Sequence, residues 1–107
     1  MTKLIDIIDD NLSEYQIVYR IHATRRMFER NINNEDIELI LKKGQVIERY
    51  DDDFPLPSLL LNGKTKIARY LHVVLGINLF EKKLIIITAY EPNTVLWTND
   101  FSRRLKI

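Results

Sequence analysis

The sequence predicts an α+β domain in which N-terminal helices pack on a four- to five-stranded antiparallel sheet. Three observations carry this expectation. Apolar residues recur at helical spacing through much of the first half of the chain, to about residue 43. From Gln45 onward, short runs of β-branched and aromatic residues take over, broken by turn-forming residues. Helices first and strands afterwards, with a hairpin signal between two strands, is the order of an α+β domain. At 107 residues the chain is long enough for a real hydrophobic core and reads as one domain, 1–107, without internal repeats.

Residues 3–14 place Leu4, Ile5, Ile7, Ile8 and Leu12 at helical spacing with acidic residues between them, an amphipathic helix. Y-Q-I-V-Y-R-I, residues 15–21, is aromatic and β-branched, and reads as extended. A helix over the following residues stops at Asn31, which tolerates the left-handed conformation of a helix end. In the third helix Asn33 caps the start and Glu35 and Asp36 sit in the positive first turn. Ile37, Ile40 and Leu41 make its buried face, Lys42 and Lys43 complement its negative end, and Gly44 stops it. The short joint makes the second and third helices a compact hairpin.

Strands follow at 45–50 and at Leu59–Leu61, the latter running into Asn62-Gly63, a strong hairpin signal. I-A-R-Y-L-H-V-V-L, residues 67–75, sets Ala68, Tyr70, His72 and Val74 on one face and Ile67, Arg69, Leu71 and Val73 on the other. K-L-I-I-I-T-A-Y, residues 83–90, is apolar on both faces and reads as a central strand ended by Glu91-Pro92. Residues 95–98 suggest an added edge strand before a basic tail.

Composition excludes several classes of function. Without cysteine there is no disulfide, thiol nucleophile or cysteine-based zinc site. Two histidines and no clustered His/Asp/Glu pattern call for no transition metal, and no cofactor motif is present. Acidic residues interrupt the first apolar run, so it reads neither as a signal peptide nor as a membrane span, and a cytoplasmic protein is expected. Charge is uneven: residues 1–53 hold eight Lys/Arg against twelve Asp/Glu, and residues 54–107 eight against three. Such a split can mark a surface for nucleic acid or for an acidic partner.

The chemistry-bearing stretch is R-I-H-A-T-R-R-M-F-E-R-N-I, residues 20–32. On a helix His22, Arg26, Glu29 and Arg30 share one stripe, beside an apolar edge of Ala23 and Met27. A histidine that moves protons near neutral pH then shares a face with two guanidinium groups able to hold a phosphate. The plainer alternative is a solvated, salt-bridged helix face.

The chain also resembles a known family. His22-Ala23, Arg26-Met27, Glu29-Arg30-Asn31-Ile32, Gly44, Tyr50 and Pro57-Ser58 occur in its order. Leu71-His72-Val73-Val74, Thr88-Ala89-Tyr90-Glu91-Pro92 and Trp97 follow. Over roughly residues 17–101 this pattern resembles the small prokaryotic family known as domain of unknown function number 4258. Asn31 stands where that family has Gly, a reasonable exchange at a left-handed position, and Arg20 stands where a small hydroxyl residue is usual. The resemblance implies a relation to RelE/ParE-like toxins and metal-independent ribonucleases with N-terminal helices on a four-stranded antiparallel sheet. It also implies a cognate antitoxin as partner and RNA as substrate.

RNA cleavage needs no protein nucleophile, because the 2′-hydroxyl attacks the adjacent phosphate. The protein must take that proton, protonate the leaving 5′ oxygen and stabilise the developing charge. His22 and His72, on separate elements, are the expected acid and base. Arg26 and Arg30 are the expected phosphate clamp, with Tyr90 or Trp97 stacking a base and Arg103 and Arg104 contacting the backbone. Glu91 is a further candidate base. Each has a structural alternative: His72 as a hydrogen-bonded strand residue, Tyr50, Tyr70 and Tyr90 as rim or core, Trp97 as a core anchor, Arg103 and Arg104 as solvated charges, Ser58 as a turn cap. The competing function is a non-catalytic module of the same fold that docks onto a protein target. A pocket joining His22, Arg26, Arg30 and His72 would favour the enzyme, and a buried His72 remote from His22 the docking module.

Overall fold

The computed structural model describes residues 2–8 and 11–105. The elements run α1 (Leu4–Ile8), a 3-10 turn (Leu12–Glu14), β1 (Gln16–Tyr19), α2 (Ile21–Glu29), α3 (Asn34–Lys43), β2 (Gln45–Tyr50), β3 (Ser58–Lys64), β4 (Tyr70–Asn78) and β5 (Lys83–Tyr90). They form an α+β fold with one five-stranded sheet in the order β1-β5-β4-β3-β2. The sheet is mixed, not antiparallel throughout: β2, β3, β4 and β5 pair antiparallel, but β1 lies parallel to β5. Pairing between the first strand and the last has no local turn signal, so sequence patterning could not reveal its direction.

The helices cover one face. Ala23 and Met27 of α2 and Ile37, Ile40 and Leu41 of α3 meet Leu59, Leu61, Leu71, Val73, Leu75, Ile77, Leu84, Ile86 and Ala89 in one core. α2 lies on β5, while α3 lies on β3 and β4, so the expected helical hairpin is two helices each seated mainly on the sheet. Asn31 adopts the expected left-handed conformation, with φ 56°. Asn33 caps α3 by accepting from the Asp36 amide at 2.8 Å, and Asp36 returns the bond, closing a capping box.

Three other expectations are corrected. The first helix is only α1, followed by the 3-10 turn that Asn11 caps by accepting from the Ser13 amide; Asp9 and Asp10 lie outside the described residues. Asn62-Gly63 is not a turn but the end of β3, and Gly63 is needed for space: a Cβ there would meet Ile40 Cγ1 at 3.0 Å. The hairpin turns instead over 65–69, where the Thr65 amide donates to the Arg69 carbonyl at 2.9 Å and Ala68 takes φ 62°. Residues 95–98 make no strand, only an isolated bridge between Trp97 and Arg104.

Candidate functional site

The helix-free face of the sheet is where polar and aromatic groups collect, and two bulges put them there. In β2, Val46 pairs with Leu61 and Glu48 with Leu60, so Ile47 is an extra residue. Val46 packs on the core, and the bulge turns Glu48 to the opposite face. In β5, Ile86 pairs with Leu75 and Thr88 with Val74, leaving Ile87 extra. Leu84 and Ile86 face the core; beyond the bulge Ala89 does so, and Tyr90 is delivered to the other face opposite His72. Asn62, His72 and Tyr90 therefore form one row across β3, β4 and β5.

Residues 93–105 fold over this row. Trp97 stands edge-on to His72 with centroids 4.5 Å apart, and Tyr90 meets the same imidazole at 5.5 Å. His72 Nε2 lies 2.8 Å from the Phe101 carbonyl, which can only accept, so Nε2 carries the proton and Nδ1 is bare. Nδ1 is buried without a hydrogen-bond partner, as is Asn62 Oδ1, although Asn62 Nδ2 donates to the Asp100 carbonyl at 2.9 Å. Burial pushes the His72 pKa below its ordinary value, outweighing the Phe101 hydrogen bond. Arg104 closes the cover, with its guanidinium 4.7 Å from the centre of the Trp97 ring and two bonds to Glu48 at 2.6 and 3.0 Å. These bonds hold Glu48 below the usual carboxylate range, and the Tyr50 hydroxyl donates to the same carboxylate.

At the end of β5 the face opens into a hollow of about 390 Å³ lined by Arg30, Arg69, Tyr90 and Glu91. Each nitrogen of the Arg69 guanidinium makes a bond. The side chain donates to the Asn31 and Arg30 carbonyls, each at 2.7 Å, and to the Glu91 carboxylate, and so ties off the C-terminal end of α2. Arg30 donates one N–H to the Ala89 carbonyl at 2.8 Å; its other N–H groups and the Tyr90 hydroxyl make no hydrogen bond among the described residues. Burial raises the Tyr90 pKa, so at neutral pH the phenol keeps its proton and can donate it. The hollow thus offers a guanidinium with N–H groups to spare, a phenol and a carboxylate within one small opening.

Of the sequence-derived candidates, Arg30, His72, Tyr90, Trp97 and Arg104 come together on this face and its rim. His22 and Arg26 do not. Both are exposed on α2, in the layer on the other side of the sheet, where Arg26 pairs with Glu29 at 3.4 Å. The expected pairing of His22 with His72 around one phosphate is therefore not made. The cause is register: odd-numbered residues of β4 face the helices, which leaves His72 on the far side. Arg30 parts from the Arg26 stripe because it is the C-cap of α2, where the chain leaves the helix. Trp97 is buried, with its ring already against His72 and Arg104, so it is a core anchor and not an open stacking surface. Arg103 is exposed. Nothing in the sequence points to Glu48, Asn62 or Arg69: a bulge leaves no trace in composition, and Asn62-Gly63 has the signature of a turn. Among the described residues no three His, Asp or Glu side chains gather as metal ligands would.

A family model, domain of unknown function DUF4258, matches residues 19–91. The chain belongs to this family. The matched span holds Arg30, Glu48, His72, Tyr90 and Glu91, and stops short of the 93–105 cover. No curated protein and no solved structure matches the chain.

Proposed function

We propose that this DUF4258 protein is the toxin of a type II toxin–antitoxin pair, with a RelE/ParE-like fold, and that it cuts RNA without a metal at the Arg30–Tyr90–Glu91 hollow. The observation that supports this is the convergence there of a guanidinium with unused N–H groups, a protonated phenol and a carboxylate. In this reading the 2′-hydroxyl attacks the adjacent phosphorus and gives its proton to Glu91, which exchanges its Arg69 partner for the substrate. Arg30 donates to the non-bridging oxygens, where charge grows. Tyr90 donates its proton to the departing 5′ oxygen, leaving a 2′,3′-cyclic phosphate and a 5′-hydroxyl. His22, Arg26 and Arg103, all exposed, contact the flanking RNA backbone, and a cognate antitoxin holds the activity in check in the cytoplasm.

The test is purified protein with labelled RNA in EDTA. Cleavage should persist, give cyclic-phosphate ends, and fail on RNA that is 2′-deoxy at the scissile position. Tyr90→Phe and Glu91→Gln should each slow it by about 10²–10⁴-fold, the worth of a positioned acid or base. A second reading, the docking module, is favoured by one specific observation: His72 is buried and lies apart from His22. Wild-type protein that cuts no RNA yet remains toxic in cells would replace the ribonuclease with that module.

A further inference from the structure

The two edges of the sheet are finished differently. β2 carries Glu48 and Arg49, bulges at Ile47, and gives its Val46 amide to the Thr2 carbonyl at 2.8 Å. Charge, a bulge and a covering segment are the devices by which edge strands discourage further pairing. Among the described residues β1 has none of them. Gln16–Tyr19 is uncharged, unbulged and free of proline. The Gln16 and Arg20 amides donate to the Lys82 and Ile86 carbonyls at 2.9 and 3.4 Å. Amides alternate in direction along a strand, so those of Ile17 and Tyr19 point to the open side.

The ground beside this edge is apolar, and its two ends complement each other. At the Tyr19 end Ile21 and Phe28 of α2 are 74% and 88% exposed and, with Tyr19, Thr24 and Arg25, line a shallow open hollow of about 440 Å³. At the Tyr15 end lies a hollow of about 610 Å³ in which Ile5, Leu12, Tyr15, Ile17 and Leu41 are joined by the polar Asn11, Ser13, Glu38 and Lys42. Glu14, paired with Lys82 at 3.1 Å, stands at the same end. The exposed apolar pair and the larger hollow lie toward the two ends of one short strand.

We infer that β1 pairs antiparallel with β1 of a second copy of this chain, about a twofold axis perpendicular to the sheet, joining two sheets into one. That axis sets the α2 end of each strand beside the other copy's Tyr15 end. Ile21 and Phe28 then enter the partner's hollow, and Arg25 approaches the partner's Glu38. The contact is isologous and self-closing, as twofold interfaces are. An uncharged strand presents no like-charge repulsion to its own copy, and the one charge pair formed across the axis is Arg25 with Glu38, made twice.

Sedimentation velocity of the full chain, loaded from about 1 to about 100 µM, tests this. A concentration-dependent dimer is expected. Ile21→Glu with Phe28→Glu should give a monomer with an unchanged far-UV circular dichroism spectrum, because both side chains are solvent-exposed and leave the core intact. Arg25→Glu should weaken the dimer by about tenfold or more, and Glu38→Arg added to it should restore association. A wild-type monomer across the range overturns the inference, as does a dimer indifferent to the Ile21/Phe28 pair. A charge exchange that fails to restore pairing overturns the antiparallel arrangement.

Discussion

The two faces of the sheet are built on different principles. The helix-covered face is apolar and periodic: Leu71, Val73, Leu75 and Ile77 alternate along β4 and meet Ala23, Met27 and Ile40. The other face is a mixed layer of Asn62, His72, Tyr90 and Trp97, closed by the Arg104–Glu48 pair. On the first, stability comes from area and close packing. On the second it depends on whether each polar group finds a partner, and two buried acceptors have none. Chemistry therefore gathers where packing is least uniform, at the rim of the second face.

That contrast predicts an order of effects. Leu75, fully buried on the helix side, should be the costliest site: Leu75→Ala is expected to destabilise by about 2–5 kcal/mol in urea unfolding, through lost transfer energy and the cavity left behind. A loss well below this would mean that the helix layer collapses into the gap and is less tightly packed than described.

His72 should make the second face sensitive to acid. Folding lowers its pKa, so below about 6.5 the unfolded chain takes up a proton that the folded chain refuses. Stability present above that pH is lost as pH falls toward the folded-state value. Urea midpoints at about pH 7.5 and about pH 5.5 should differ, and His72→Gln, which keeps a donor for the Phe101 carbonyl, should shrink the difference. An undiminished difference in the variant would assign the acid response to other groups.

The smallest effect should come from the clamp. Arg104 is largely solvated, so Glu48→Gln is expected to cost only about 0.5–1 kcal/mol despite the two bonds from Arg104 and the one from Tyr50. A markedly larger cost, read from the same urea midpoints, would show that the 93–105 cover is held by this pair more than by Trp97.

The same contrast explains what the sequence disclosed. Alternation along 70–74 put His72 opposite Leu71 and Val73, and the structure agrees. Asn33, Asp36 and Asn31 announced the helix ends because capping chemistry is local. The α+β class was equally legible. The site was not, because Ile47 and Ile87 shift Glu48 and Tyr90 to the other face without any local signal. Strict alternation would have left Tyr90 with Leu84 and Ile86 on the core side. Gly63 carries the signature of a turn because a glycine that admits a neighbouring Ile40 looks the same in sequence as one that turns a hairpin. Asn62-Gly63 satisfied the turn signature and served packing instead.

Parallel pairing of β1 with β5 also ties the two halves of the chain together in time. During synthesis β1 leaves the ribosome early, yet the strand it pairs with is made nearly seventy residues later, by which point α2, α3 and the β2–β4 meander are already available to fold. Until β5 inserts between β4 and β1, the first strand has no sheet to join. Chain shortened before Lys83 would thus lose order at its start as well as at its cut end, and closure of the sheet is the late, long-range step that should limit folding speed.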